Sequence, residues 1–346
     1  MIQSPFLAIA LRTNNTTLTQ MKSLIQDERK IIRIWGFRNT LHYYCVEDWN
    51  LICSYLKKNP SWFEKRIRNS KINYDQLYKT VEEIVLKANY VNREILLNSG
   101  INKNYLGPWG DIFIDLNNNG LICSSCKKRQ AQYANRKFWC PNMPFKWIPY
   151  DVAFKNIVLR YFECYGPATI NDFMHWLGIP ITKKNNQIIL YEFKRIGKLK
   201  IYCENLWGLS EQYDHFNSIN PKKILKEHIF FLGKFDPLLL SYNDKSWIVD
   251  AKTKSSVWRK AGHISAVILM NGRVCAIWDY RVTRYKLIVY IFKLCECKIE
   301  FDRIKMSIFR IANLFGTTSI ECIIKSSKGN EEEKWICLTE NINGRN

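Results

Sequence analysis

Residues 165–178 read YGPATINDFMHWLG, a stretch that few arrangements of backbone accommodate. Gly166-Pro167 ends any preceding helix, and that helix carries Ile157, Leu159, Tyr161 and Phe162. Thr169 stands where an N-cap belongs, and Asp172 follows three residues later as a first-turn carboxylate. Ile170, Phe173, Met174 and Leu177 then recur at helical spacing. Beyond Gly178-Ile179-Pro180 a second helix is expected over 185–195, with Lys183, Lys184, Lys194 and Arg195 at its ends. Residues 199–209 read as two short strands. Helix, turn, helix and ribbon is the order of a winged helix, whose second helix ordinarily lies in the major groove. A helical pair in any α/β protein fits the same residues, and pattern alone leaves both readings open.

Charge bears on the choice. Fifty-two Lys and Arg stand against 31 Asp and Glu, a net charge of +21 over 346 residues. Such an excess favours a polyanionic partner, nucleic acid first, with a merely basic cytosolic protein as the plain alternative. The length suits two or three domains. No apolar run approaches a membrane span, and no basic region with an apolar core opens the chain. The twelve cysteines then read as reduced thiols of a cytoplasmic, nucleoid-associated protein. Cys123, Cys126 and Cys140 have part of a zinc spacing, but no close fourth ligand follows, so no metal is expected. Cys295 and Cys297 alternate in an apolar run and read as strand residues.

Residues 1–11 are apolar, and Asn14-Asn15-Thr16-Thr17 announces a helix over 18–29. Residues 31–46 suit a strand pair broken at Gly36 and Asn39, and further helices are expected over 47–56, 61–67, 74–88, 92–98 and 109–116. Residues 121–139 suit a hairpin with a basic tip. From about residue 222 the character changes. Residues 229–240, 264–277 and 285–292 are strand-like, with Asn271-Gly272 as a hairpin signal. Residues 302–315 suit an amphipathic helix, and 327–334 a charged loop. The expectation is an α+β chain of tandem winged-helix units at 1–70, 71–150 and 151–221, followed by a β-rich α+β region at 222–346.

Three blocks carry a resemblance to a known family. Residues 33–48, RIWGFRNTLHYYCVED, resemble a W-x-x-RGTLH block with Asn39 in place of its glycine. Residues 160–178 resemble an RY-x-x-x-YGPAT-x-x-DF-x-x-W-x-G block. Residues 235–278 resemble a block that opens FDP and continues, here, KAGHISAVILMNGRVCAIW. The family is that of the winged-helix DNA glycosylases that excise alkylated purines and unhook interstrand crosslinks. The resemblance implies three winged helices in tandem around a concave DNA-binding face; double-stranded DNA as partner and no cofactor are expected, and the oligomeric state is left open, with a monomer the simplest expectation. It also implies a Gln-x-Gln or Gln-x-Asp catalytic motif shortly before the RGTLH strand. Gln3 matches its second polar residue, and Met1 occupies the place of the first Gln. The family's preceding helices have no counterpart here: either the sequence begins inside a longer chain, or the first unit is truncated, in which case Phe6 and Leu7 are expected to be exposed.

The chemistry asked of such a motif is modest. An N7-alkylated purine is cationic and already a good leaving group. What speeds its loss is a water held near C1′ and dipoles that stabilise an oxocarbenium-like sugar. A carboxamide accepts and donates at once and can hold that water, the role assigned to Gln3. Arg38, Thr40 and His42 alternate along the expected strand and suit contact with phosphate or the damaged nucleotide, or else Thr40 and His42 are structural partners. Lys127, Lys128, Arg129, Arg136 and Lys137 would form one basic ribbon; Lys183, Lys184, Lys194 and Arg195 would flank a recognition helix. Asp236 and Asp244 are candidate site carboxylates, with turn or cap roles as the plainer alternative. A second reading is a DNA-binding protein without catalysis, either a transcription regulator or a degenerate homologue.

Overall fold

The computed structural model describes residues 3–107, 110–126, 131–220, 229–326 and 331–338, with the side chains of Gln3 and of 331–333 outside that description. Local signals set most of the elements. Thr17 and Gln20 form a capping box that opens the helix Leu18–Gln26, and Thr169 and Asp172 form another that opens Ile170–Leu177. Ser61, Asn73, Asn92 and Thr182 each accept a backbone N–H at the start of the helices Trp62–Arg68, Tyr74–Lys87, Arg93–Asn98 and Lys183–Ile196. Gly178 and Gly197 close two of these helices in the left-handed conformation.

Strands β1 (Ile31–Trp35) and β2 (Leu41–Cys45) pair as the expected ribbon. That ribbon is not separate from the next one. Strands β3 (Tyr90–Asn92), β4 (Ile122–Ser124) and β5 (Gln132–Asn135) join it in one sheet of order β2-β1-β4-β5-β3, through the pairing of Arg33 with Ser124. The helix Tyr150–Tyr165, Ile170–Leu177 and Lys183–Ile196 stack on a ribbon of β6 (Leu199–Cys203) and β7 (Leu206–Leu209) around Tyr161, Phe162, Phe173 and Phe193. This third unit follows the expected order most closely.

The C-terminal region is a six-stranded sheet of β8 (Ile229–Leu232), β9 (Ala266–Met270), β10 (Arg273–Val282), β11 (Lys286–Lys293), β12 (Ser319–Lys325) and β13 (Glu331–Leu338), in the order β13-β12-β11-β10-β9-β8. Asn271 and Gly272 both take positive φ, as the tight β9–β10 hairpin requires. The helix Phe301–Phe315 carries the chain across to β12, parallel to β11. Three expectations are corrected here. Residues 237–240 are helical, because Asp236 caps a turn that Pro237 begins. Residues 331–334 pair as part of β13 rather than looping. Cys295 and Cys297 lie beyond the end of β11.

The largest departure concerns the first residues. The helix Gln3–Ala10 and the helix Leu18–Gln26 pack into the core of the C-terminal sheet, with Ile304, Ile308 and Ile311, while Ile31 and Tyr43 of the β1–β2 ribbon border the same core. Phe6 is 4% and Leu7 2% exposed, so the expectation that they face solvent is overturned. About 25 cal/mol per Å² of apolar surface is what drives such docking.

Candidate active site and nucleic-acid interface

The three sequence blocks, distant along the chain, meet at one place. The first supplies the turn Phe37–Asn39 between β1 and β2. Arg38 (φ 57°) and Asn39 (φ 52°) both take left-handed backbone there. This is why glycine suits position 39 and why Asn, the side chain that best tolerates that conformation, replaces it without breaking the turn. Gly36 has no room for a side chain, since a Cβ would lie 2.1 Å from the Tyr44 hydroxyl.

Arg38 therefore does not alternate with Thr40 and His42 along a strand; it sits in the turn, and β2 begins only at Leu41. Thr40 and His42 do meet. The Thr40 hydroxyl donates to the Phe37 carbonyl at 3.1 Å and lies 2.6 Å from His42 Nε2, which is also 3.3 Å from that carbonyl. Two oxygens around Nε2 favour the tautomer with its proton there, leaving Nδ1 as an acceptor. Burial, with the Arg38 charge adding to it against the Phe37 carbonyl, pushes the imidazole down to about 4. His42 is thus neutral at pH 7.

The second block rests on the first. A Cβ on Gly178 would fall 2.8 Å from Arg38 Cγ, so the end of the helix Ile170–Leu177 carries Arg38 directly. His175, in that helix's last turn, is pushed down by burial and by Lys245 and Arg38. The third block closes the junction. Asp236 is fully buried, accepts the Leu238 N–H and takes both ends of the Arg12 guanidinium, at 2.9 and 2.8 Å. The Tyr242 hydroxyl donates to the Tyr165 carbonyl at 2.7 Å, and the Tyr161 hydroxyl to the Ser241 carbonyl at 3.0 Å. Asp172 accepts the Asn243 N–H at 2.7 Å. Lys245 is buried, its ammonium spent on the Leu239 and Tyr242 carbonyls, and burial pushes it down to about 8. Arg160 also pairs with Asp48 across the first two blocks.

Gln3 opens the helix Gln3–Ala10, whose far end is fixed by Arg12. Phe6 of that helix lies against Tyr43 of β2, ring centroids 5.6 Å apart, and Leu7 against Gly233. The helix is thereby held to both the ribbon and the C-terminal sheet. Arg12, Tyr165, His175 and Lys245 were not singled out by sequence reasoning. Asp236 was weighed there as a site carboxylate or a turn or cap residue; it caps a turn, and its ion pair adds a second task.

Of the expected DNA contacts, Lys127, Lys128 and Arg129 lie outside the described residues. Arg136 is corrected: it is 4% exposed, donates to Asn50 and the Met143 carbonyl, and lies over the Trp49 and Phe145 rings. Lys137 is exposed, as are Lys183, Lys184, Lys194 and Arg195, the last paired with Glu192. Lys57 and Lys58 add cations over Trp147 and Tyr150. Cys123 is buried on β4, and among the described residues no group of three His, Cys, Asp or Glu is arranged to hold a metal. No helix among them is long and apolar enough to cross a membrane.

This architecture is that of a solved DNA glycosylase. Streptomyces sahachiroi DNA glycosylase AlkZ superposes with a TM-score of 0.75 at 21% identity, over 92% of this chain and 88% of that one. An interstrand DNA cross-link repair glycosylase of Streptomyces sahachiroi is 24% identical over 270 residues, 72% of this chain and 70% of that protein. Residues 2–293 match the family described as DNA glycosylase AlkZ-like, and the chain belongs to that family. The resemblance drawn from the three blocks is thereby confirmed, and DNA is the partner that the family implies.

Proposed function

We propose that this protein is a monofunctional DNA glycosylase that hydrolyses the N-glycosidic bond of N7-alkylated purines in double-stranded DNA and unhooks interstrand crosslinks made through such bases. The observation that carries the reading is the junction itself. Arg12 ties the helix opened by Gln3 to the Asp236 turn, Asp172 ties the helix Ile170–Leu177 to Asn243, and Gly178 at the end of that helix packs against Arg38 of the Phe37–Asn39 turn. Rigid support of this kind is what a site that works by positioning requires.

In this reading Gln3 holds the attacking water, and the cationic purine leaves without a general acid. Neutral His42 offers Nδ1 as an acceptor near the developing positive charge, while Arg38 and His175 answer the flanking phosphate. The tandem winged-helix description belongs to the same proposal. The residues 151–221 support it best, and the first two units at 1–70 and 71–150 share a sheet. Lys183, Lys184, Lys194 and Arg195 then line the duplex, and the enzyme acts as a monomer in the cytoplasm, at the nucleoid.

Incubation with N7-methylated duplex DNA tests it. Free 7-methylguanine accumulating above spontaneous depurination, and lost in Gln3→Ala with duplex binding intact, is the expected result. A crosslinked duplex resolving into single strands bearing abasic sites extends it. Tight binding with no base release from either substrate overturns it in favour of a non-catalytic DNA-binding protein.

A further inference from the structure

The helix Gln3–Ala10 is too short to keep its shape in water unaided, so whatever holds it also holds Gln3. Burial of Phe6 and Leu7 supplies adhesion, but apolar contact is non-directional and leaves the helix free to slide or turn. Hydrogen bonds at the last turn remove that freedom. The Leu7 carbonyl accepts the Leu11 N–H at 3.0 Å, and the Ala8 carbonyl the Arg12 guanidinium at 3.0 Å. The Ile9 carbonyl accepts the Arg12 N–H at 2.9 Å and the Thr13 hydroxyl at 2.8 Å, and the Ala10 carbonyl the Thr13 N–H at 3.4 Å. The Leu11 carbonyl is served from 299 positions away: Arg310 Nη1 donates to it at 3.2 Å.

Arg310 reaches further than this one carbonyl. Its Nη2 donates to Asn14 Oδ1 at 2.9 Å. Asn313, on the same helix, donates from Nδ2 to the Thr16 carbonyl at 3.3 Å, and the Thr13 and Thr16 hydroxyls lie 2.6 Å apart. Residues 11–16 are thus laced to the helix Phe301–Phe315, alongside the apolar packing of Ile304, Ile308 and Ile311. Arg310 Nε is shut off from solvent, so the side chain approaches the segment through the packed interface. Both residues lie past 293, where the family match ends.

We propose that Arg310, assisted by Asn313, is a positioning residue for the Gln3 helix: by capping its far end it sets the height and rotation at which Gln3 is presented. The inference rests on the reading of Gln3 as the residue that holds the attacking water. Arg310 acts through the helix, a rod about 12 Å long at 1.5 Å per residue, and not on the nucleotide. A displacement of about 1 Å at the reacting atoms is enough to cost up to about 100-fold in rate.

The test uses the full chain. Arg310→Met keeps the aliphatic stem and removes the donors. In single turnovers on N7-methylated duplex DNA, release of 7-methylguanine is expected to slow by about 10–100-fold while the duplex Kd stays within about twofold. Hydrogen exchange read by mass spectrometry should quicken over residues 4–12 and stay at the wild-type rate over residues 150–196. Arg310→Lys, which keeps the cation and a donor, should recover part of the rate. Lys305→Met removes a cation from the same helix, where Lys305 pairs with Asp302, and should leave both readouts unchanged. Unchanged exchange over residues 4–12 overturns the proposal, as does base release at the wild-type rate. A rate loss matched by an equal loss of duplex affinity also overturns it, by making Arg310 a phosphate contact. Wild-type protein that releases no base sinks the glycosylase reading alone, because the exchange comparison still decides whether Arg310 orders the helix.

Discussion

Arg12 and Asp236, 224 residues apart, face each other as a two-pronged ion pair in which the carboxylate is wholly enclosed and the guanidinium half exposed. The same Asp236 caps a helical turn, and the same Arg12 closes the helix that Gln3 opens. Removing the cation leaves an enclosed carboxylate with one backbone donor. Arg12→Ala is expected to lower stability by about 2–4 kcal/mol, less than for a fully buried pair because Arg12 is partly solvated. Urea unfolding measures this. Arg12→Lys should recover less than half of the loss, since an ammonium cannot engage both oxygens.

Gly178 bears Arg38 on its α-carbon and holds φ at +81°. Gly178→Ala meets both a strained backbone and the Arg38 stem. A loss of about 1–2 kcal/mol is expected. Base release should fall by more than stability accounts for, because Arg38 must move. Gly197, also left-handed but in open space, is the control: Gly197→Ala should cost the backbone penalty and leave activity unchanged.

His42 gives a pH signature. Its folded pKa, about 4, lies below the ordinary 6.5, so the native state prefers the neutral ring. The linked stability is fully present above pH 6.5 and is lost as pH falls toward 4, by up to about 3 kcal/mol. Thermal melts of the wild type between pH 7 and 4 should therefore fall more steeply than those of His42→Gln. A His42 ring signal in NMR that titrates near 6.5 would contradict the assignment.

The exposed cations of the helix Lys183–Ile196 should act through counterion release. Replacing Lys183, Lys184 and Lys194 together with Gln is expected to flatten the slope of log affinity against log salt by about 2–3. Arg136→Gln should leave that slope unchanged and lower stability, because its guanidinium faces Trp49 and Phe145 rather than solvent.

What local chemistry decides was legible in the chain. Thr169 and Asp172 cap a helix because their spacing alone brings hydroxyl and carboxylate to the free N–H groups. Asn271-Gly272 likewise turns β9 into β10. What depends on a distant partner was not. Arg136 reads as one more charge in a basic run until Trp49, Asn50 and Phe145 come to meet it. Arg12 has no pattern around it that points to Asp236. Phe6 and Leu7 look stranded at the start of the chain, because the surface that covers them is contributed by residues about as far away as the chain allows. At the junction, the blocks named its parts, and Arg38 was misplaced by one turn of backbone because Asn39 is not obviously left-handed.

The docking of the helix Gln3–Ala10 on Phe301–Phe315 has a consequence for synthesis. The helix Gln3–Ala10 leaves the ribosome well before its partner Phe301–Phe315. At about 5–20 residues per second, it waits on the order of tens of seconds for a surface to fold against. The segment bearing Gln3 therefore gains its full packing only after Phe301–Phe315 has been made, and a polypeptide released before that point carries the helices of residues 150–196 without it.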